Sequence, residues 1–177
     1  WRLTPMGQSQ PPMEAQFRVS NQFEHRCDGR SASRGRDGTN GGQIRARLAR
    51  NEAGINLWIA EGERSFHYVF APNPPPRPFL ISVRGGDGGP GQDGLEFDQE
   101  VKARGGKGGR AGWGGTVEIS TKDMPWRKYL VIDVSPGTPG QGGKGGRYYR
   151  QGVLHSGPEG SAGQEGQAGQ VMTSVEP

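Results

Sequence analysis

"GGKGGRAGWGGTVEIST", residues 105–121, changes its period halfway along. Up to Gly115 glycine returns every third residue on two lines, Gly106, Gly109, Gly112 and Gly115 on one and Gly105, Gly108 and Gly114 on the other. From Thr116 onward apolar Val117 and Ile119 alternate with Glu118 and Ser120, the period of a half-buried strand. A period of three belongs to the polyproline II helix, with three residues per turn, about 3.1 Å of rise per residue and no hydrogen bonds of its own. With two of its three ridges bare, such a helix can satisfy its amides and carbonyls only against other backbones laid along those ridges. The stretch therefore predicts a glycine helix that runs straight into a strand.

The same texture recurs along the chain. "GRSASRGRDGTNGG" holds Gly29, Gly35, Gly38 and Gly41 in phase with Ala32 at the missed position, and "GGDGGPGQDG" holds Gly85, Gly88, Gly91 and Gly94. "GTPGQGGKGG" carries Gly137, Gly140, Gly143 and Gly146, and "GPEGSAGQEGQAG" is unbroken from Gly157 to Gly169. Between these runs lie β-branched and aromatic stretches at 43–49, 55–60, 66–71, 79–84, 116–121 and 129–134, which read as strands. No helical stripe is present, and "PNPPPRP" (72–78) reads as a rigid connector kept out of any sheet interior by its missing donors.

Composition sets limits on what these elements can build. Of 177 residues, 33 are glycine and 14 proline, and only 30% are hydrophobic, so a conventional core has few residues to draw on. Four tryptophans and the apolar runs argue against a solvated tail. The net charge of +4 comes from 22 basic and 18 acidic residues, a mixed surface and not a basic arm. Cys27 is the one cysteine, so no internal disulfide can form. No run approaches the ~18 apolar residues of a membrane span, and a chain opening at Trp1 is expected to be a processed product, any signal peptide already removed.

The expected architecture is mainly β with polyglycine II helices: a bundle of about five, joined to a small antiparallel β-sheet, with no significant α-helix. Residues 1–26 are expected to be a linker with a first strand around Phe17, Val19 and Phe23, and 27–177 the glycine-rich domain. Whether the glycine runs pack within one chain or between chains is open at this level. A monomer is the expected state and a collagen-like homotrimer its alternative.

"FLISVRGGDGGPGQDG" and "GGKGGRAGWGGTVEIST", a strand entering a glycine helix and a glycine helix entering a strand, resemble the glycine-rich N-terminal domain of the Obg GTPases. The likeness is one of texture over about residues 29–170, and it implies a glycine-helix bundle beside a small β-structure. No Walker motif accompanies it, so GTP chemistry is not implied. "MPWRKYLVIDVSPGTPGQGGKGG" is similar in style to collagen-like exported proteins of bacteria, and bundles of this kind are also associated with phage tail-fibre adhesins.

Chemistry is thinly supported. "GGPGQDGLE" satisfies a single calcium nonapeptide, which works in consecutive copies, and makes Asp87, Asp93 and Asp98 the calcium candidates. "GPGQDG" fits a dinucleotide fingerprint without the helix that would hold a pyrophosphate. His25 and Cys27 match no zinc spacing, and a lone cysteine reads as a packed thiol. No cofactor is expected. "RGGKGGRAGWGG" contains RGG boxes, making nucleic-acid binding the alternative function, yet the period of three persists in "GPEGSAGQEGQAG", which has no arginine.

The expected role is therefore non-enzymatic: a structural, adhesion or surface-recognition domain of a bacterial cell-envelope or phage protein, meeting an unidentified protein or glycan partner. The contact residues would be Trp113, Trp126, Tyr148 and Tyr149, with Lys107, Arg110, Lys144 and Arg147 around them.

Overall fold

The computed structural model describes residues 16–17, 23–52, 54–70, 77–97, 99–122 and 125–175, and of Gln16, Phe17 and Trp126 only the main chain. The strands are β1 (Gln16–Phe17), β2 (Glu24–Arg26), β3 (Gln43–Asn51), β4 (Gly54–Glu61), β5 (Arg64–Phe70), β6 (Phe79–Ser82), β7 (Thr116–Thr121), β8 (Leu130–Asp133), β9 (Arg147–Arg150), β10 (Val153–Ser156) and β11 (Gln170–Val175). A single 3-10 turn, Trp126–Lys128, is the only helical element among the described residues. The fold is mainly β, and each of the six expected strands is present within a few residues of its expected bounds.

Three sheets form. The largest runs β1-β5-β4-β3-β7-β11, the second β2-β6-β8, and β9 with β10 makes a hairpin. The expected antiparallel pairing holds for β3-β4, β4-β5 and the β9-β10 hairpin, but the expectation of one small antiparallel sheet is corrected: β3-β7, β7-β11, β2-β6 and β6-β8 are all parallel. Parallel neighbours need crossovers of a dozen or more residues, and the glycine-rich runs provide that length without a helix. Because Glu24–Arg26 pairs with β6, the folded body extends upstream of residue 27. Of the expected first strand, Gln16–Phe17 pairs with β5, Phe23 packs against the core, and Val19 lies outside the described residues.

The two larger sheets share one core. Ile44, Leu48, Ile55, Leu57, Ile59, Val117 and Ile119 from the first meet Phe79, Ile81 and Leu130 from the second, with Tyr68 and Phe70 rings 4.8 and 5.6 Å from Phe79. The strict alternation in β3, with Ile44, Ala46 and Leu48 buried and Gln43, Arg45 and Arg47 exposed, fixes its register, since a one-residue slip would turn every apolar side chain outward.

Six glycine-rich segments carry no strand assignment: g1 (27–33), g2 (36–42), g3 (83–95), g4 (104–115), g5 (134–146) and g6 (157–169). The run at 29–42, read from sequence as one element, is two, folded back at Arg34–Gly35. There φ is +53° and +69°, and the Arg36 amide donates to the Ser33 carbonyl at 3.3 Å. Segments g1, g3 and g5 leave β2, β6 and β8 of the three-stranded sheet, and g2, g4 and g6 enter β3, β7 and β11 of the six-stranded one. The chain thus makes three out-and-back excursions between its sheets.

Main-chain hydrogen bonds join these segments at every third residue. Each pairs antiparallel with the next: the amides of Gly106, Gly109, Gly112 and Gly115 donate to Gln92, Gly89, Gly86 and Val83, and those of Gly137, Gly140 and Gly143 to Gly112, Gly109 and Gly106. Each also pairs parallel with the next but one: Gly85, Gly88, Gly91 and Gly94 donate to Ser135, Thr138, Gln141 and Lys144, and Gly105, Gly108, Ala111 and Gly114 to Pro158, Ser161, Gln164 and Gln167. In a doublet such as Gly105-Gly106 the two glycines therefore serve different neighbours. Their bareness is what permits it, since a Cβ on Gly109 would collide with the Arg36 carbonyl and one on Gly108 with that of Gly140.

Ordering a backbone costs about 1–2 kcal/mol per residue and a net hydrogen bond returns about 0.5–1.5, so the segments do not stand on their own bonds alone. The apolar core at their roots anchors them.

Candidate recognition surface at the outer end of the glycine segments

Polar side chains close what the glycines leave open. The Asp37 carboxylate accepts the Arg110 backbone N–H at 2.8 Å and its Nε–H at 3.0 Å, and Asn40 Oδ1 accepts the Trp113 backbone N–H at 3.0 Å. Asp87 Oδ1 accepts the Thr138 N–H at 2.7 Å and its hydroxyl at 2.8 Å, and Asp93 Oδ1 the Lys144 N–H at 2.7 Å. With the g4 amides already described, ten N–H groups between 104 and 115 are bonded outside the segment. The calcium candidates Asp87 and Asp93 are thus turned onto backbone amides, while Asp98 lies outside the described residues. Among the described residues no group of three or more His, Cys, Asp or Glu is placed to hold a metal.

These bonds stabilise the ionised carboxylates that accept them and so lower their pKa. Asp37 is held below the usual carboxylate range chiefly by the Arg110 amide, and Asp87 chiefly by the Thr138 amide and hydroxyl. Asp133 falls likewise through the Ser135 hydroxyl and amide, at 2.6 and 2.9 Å.

The second and third excursions end in two larger turns that meet. One joins g3 to g4 through Glu96, Phe97 and a turn at 99–103, the other is the β9–β10 hairpin between g5 and g6. Gln151 and Gly152, at φ +53° and +78°, supply the two left-handed residues that a tight hairpin turn demands. The Phe97 amide donates to the Arg147 carbonyl, the Phe97 and Tyr149 rings stack at 6.1 Å, and the Arg147 guanidinium lies 5.1 Å from the Phe97 centroid while Nε reaches Glu96 at 2.7 Å. Arg150 faces Glu100 at 3.7 Å. Tyr148 is buried and stacks on His155 at 5.5 Å, whereas Tyr149 is 61% exposed.

This end carries much of the exposed apolar surface. Phe97 is 58% exposed and Val101 77%, with Leu95, Val153 and Leu154 also large, apolar and open to solvent. Exposed aliphatic and aromatic side chains are thus gathered at one end, beside Arg147, Arg150 and Lys102.

The expected contact residues divide among three places. Tyr148, Tyr149 and Arg147 lie in this hairpin and Lys144 just before it on g5. Lys107, Arg110 and Trp113 form an exposed line along g4, with Trp113 at its sheet end. Trp126 lies in the 3-10 turn before β8, at the opposite end of the molecule, and its side chain is outside the described part. Phe97, Leu95 and Val101 were not foreseen, although "LEF" at 95–97 stands where a glycine run stops and large apolar residues begin.

A second polar cluster lies at the root. His25, 7% exposed, contacts Tyr68 Oη through Nδ1 at 3.1 Å and Glu61 Oε2 through Nε2 at 3.2 Å. Burial, with Glu61 hydrogen-bonded beside it, pushes the Cys27 thiol up to about 11. A thiol so held stays protonated at neutral pH and is a poor nucleophile, in keeping with a packed cysteine. His67 is depressed by burial and stacks on Trp58 at 4.8 Å.

Comparison with protein-family models, with curated proteins and with solved structures returned no match. Among the described residues no helix is long and apolar enough to cross a membrane.

Proposed function

We propose that this chain is a non-enzymatic scaffold, a bundle of six polyglycine II helices rooted in a β-sandwich, that holds a partner-binding surface at its outer end. The bundle reading is supported by hydrogen bonds at a spacing of three along every segment and by glycines whose absent side chains admit a neighbour's carbonyl. Such a lattice pins the outer turns, so little conformational freedom is lost when a partner binds them.

The observation that carries the functional reading is the exposed Phe97–Tyr149 stack with Arg147 across it, set among Leu95, Val101, Val153 and Leu154. Aromatic and arginine anchors with an aliphatic surround and a charged rim are the composition of a protein-binding hot spot. The partner is accordingly a protein surface, and the role is adhesion or surface recognition in a bacterial cell envelope or a phage particle. The glycine-rich composition suits a rigid structural part better than an enzyme.

The test has two arms. Far-UV circular dichroism with sedimentation should give a polyproline II signal, one cooperative melt and a monomer; a non-cooperative profile removes the bundle. Labelled chain should then adhere saturably to bacterial cells, and Phe97→Asp with Tyr149→Asp should abolish adhesion without shifting the melt. Adhesion that survives both substitutions removes the tip from the reading.

A further inference from the structure

Away from the tip, g2, g4 and g6 enclose a cleft of about 350 Å³. We propose that it binds a neutral saccharide, on the indole of Trp113. Its volume lies within the range of small-ligand sites. Its base is g4 itself, where Ala111 is 5% exposed and Gly112 buried, both held through their amides by Gln164 and Gly86.

Trp113 stands 53% exposed on one side and has no ring or cation partner among the described residues. A bare indole face at a fixed position suits the C–H face of a pyranose, which buries apolar surface against the ring and places weak C–H donors over its π-cloud. The main chain that carries the indole is fixed, because Asn40 Oδ1 accepts the Trp113 backbone N–H at 3.0 Å.

The remaining lining sets the ligand class. Among the described residues Asn40 spends its oxygen on Trp113 and keeps its NH₂ donors, while Gln164 and Gln167 are exposed and make no side-chain hydrogen bond. A primary amide offers donors and an acceptor together, the complement of a hydroxyl, which is also both. Charge excludes the other candidate. Arg110 is engaged by Asp37 at 3.0 Å, and Glu165 adds a second carboxylate to the lining, leaving one negative charge in excess. A phosphate or sulfate would face that excess with the one arginine already paired, so a nucleic-acid strand is disfavoured here although Trp113 and Arg110 sit where an RGG reading would place them.

The site is independent of the tip, and its test keeps the two apart. The full chain is applied to a printed array of neutral, sialylated and sulfated glycans, and the best neutral oligosaccharide is titrated by calorimetry. Saturable binding is expected, weakened at least about tenfold in Trp113→Ala, which is about 1.4 kcal/mol. A smaller loss is expected in Gln164→Ala, with no change in Phe97→Ala. Both cleft side chains are exposed, so the melts of these variants should match the parent. No retention on any neutral glycan, retention confined to sulfated glycans or oligonucleotides and erased by salt, or affinity unchanged in Trp113→Ala would each overturn the proposal.

Discussion

Asp37 and Arg110 lie 73 residues apart in sequence, yet one carboxylate of the first takes both the main-chain amide and the Nε–H of the second. Asn40 and Trp113 repeat the arrangement one turn further along the same pair of segments, and Asp87 with Thr138 and Asp93 with Lys144 repeat it between g3 and g5. The amides of Arg110, Trp113, Thr138 and Lys144 stand at non-glycine positions of their triplets and are met by a side chain in place of a backbone carbonyl. A short acceptor on the adjacent parallel segment reaches each of them, and in doing so it fixes which triplet lies beside which.

Removing one such acceptor should loosen the lattice measurably. Asp87→Ala deletes the acceptor for both the Thr138 amide and its hydroxyl, and is expected to cost about 1 kcal/mol, the low end for a charged acceptor because the side chain is 40% exposed and solvent screens it. Asp87→Asn keeps an oxygen in place and should cost less. Thermal melts of the two variants beside the parent decide it; equal melting points in all three would remove the carboxylate from the stabilising bonds.

Acid should act on the same groups. Asp37, Asp87 and Asp133 each have a folded pKa below the ordinary 3.8, so the folded state binds fewer protons than the unfolded one as pH falls toward and through that value. Their contribution is complete above about pH 5 and is lost progressively from about pH 4 downward, through the lowered folded values. Melting temperature measured from pH 7 to pH 2 should be flat with respect to these groups down to about pH 5 and then drop. In a variant carrying Asp87→Asn and Asp133→Asn the drop should be shallower, and an identical acid limb would contradict the assignment.

Glycine and non-glycine positions of the triplets should divide sharply. A Cβ at Gly109 would overlap the Arg36 carbonyl oxygen and leave no room for a side chain to swing away, since the obstacle is backbone. Gly109→Ala is expected to cost at least about 3 kcal/mol, the upper part of the range for overpacking. Gln164→Ala, on the exposed side of g6, should change stability by no more than about 0.5 kcal/mol. Denaturant titration reads both, and comparable midpoints for the two variants would mean that the segments do not pack as described.

The strands at 43–51 and 116–121 were legible because half-burial imposes alternation on their residues, and that at 54–61 because near-continuous burial makes it an apolar run. β9, β10 and β11 were not, since 13 of their 14 residues are exposed and Tyr148 alone is buried, which leaves no inside-outside pattern to see. The phase of glycine announced the segments, but not that Arg34–Gly35 would fold one of them double, because Ser-Arg-Gly-Arg differs little in texture from the triplets around it. Parallel pairing and the Asp37–Arg110 contact depend on which segments become neighbours, a choice made over fifty to seventy residues and written in no local spacing. The exposed aromatics Trp113 and Tyr149 could be named from sequence, while Phe97 enters the site only through the turn that brings it beside β9.

Cys27 offers a probe of the root. With its thiol raised to about 11, about one molecule in a thousand carries the thiolate at pH 8, against about a quarter for an ordinary cysteine. Iodoacetamide should therefore alkylate the folded chain about two hundredfold more slowly than a cysteine-containing peptide, and the rate should climb with pH until near 11. Glu61→Gln removes the negative neighbour that adds to the shift while keeping an oxygen within reach of His25, so alkylation of that variant should quicken at pH 8. The same raised pKa carries a sign for stability. Above about pH 9 the unfolded chain has released a proton that the folded one still holds, so this group's contribution is full below that pH and declines up to about 11. Peptide-like alkylation of the folded protein at pH 8 would show that the thiol is neither buried nor paired as found.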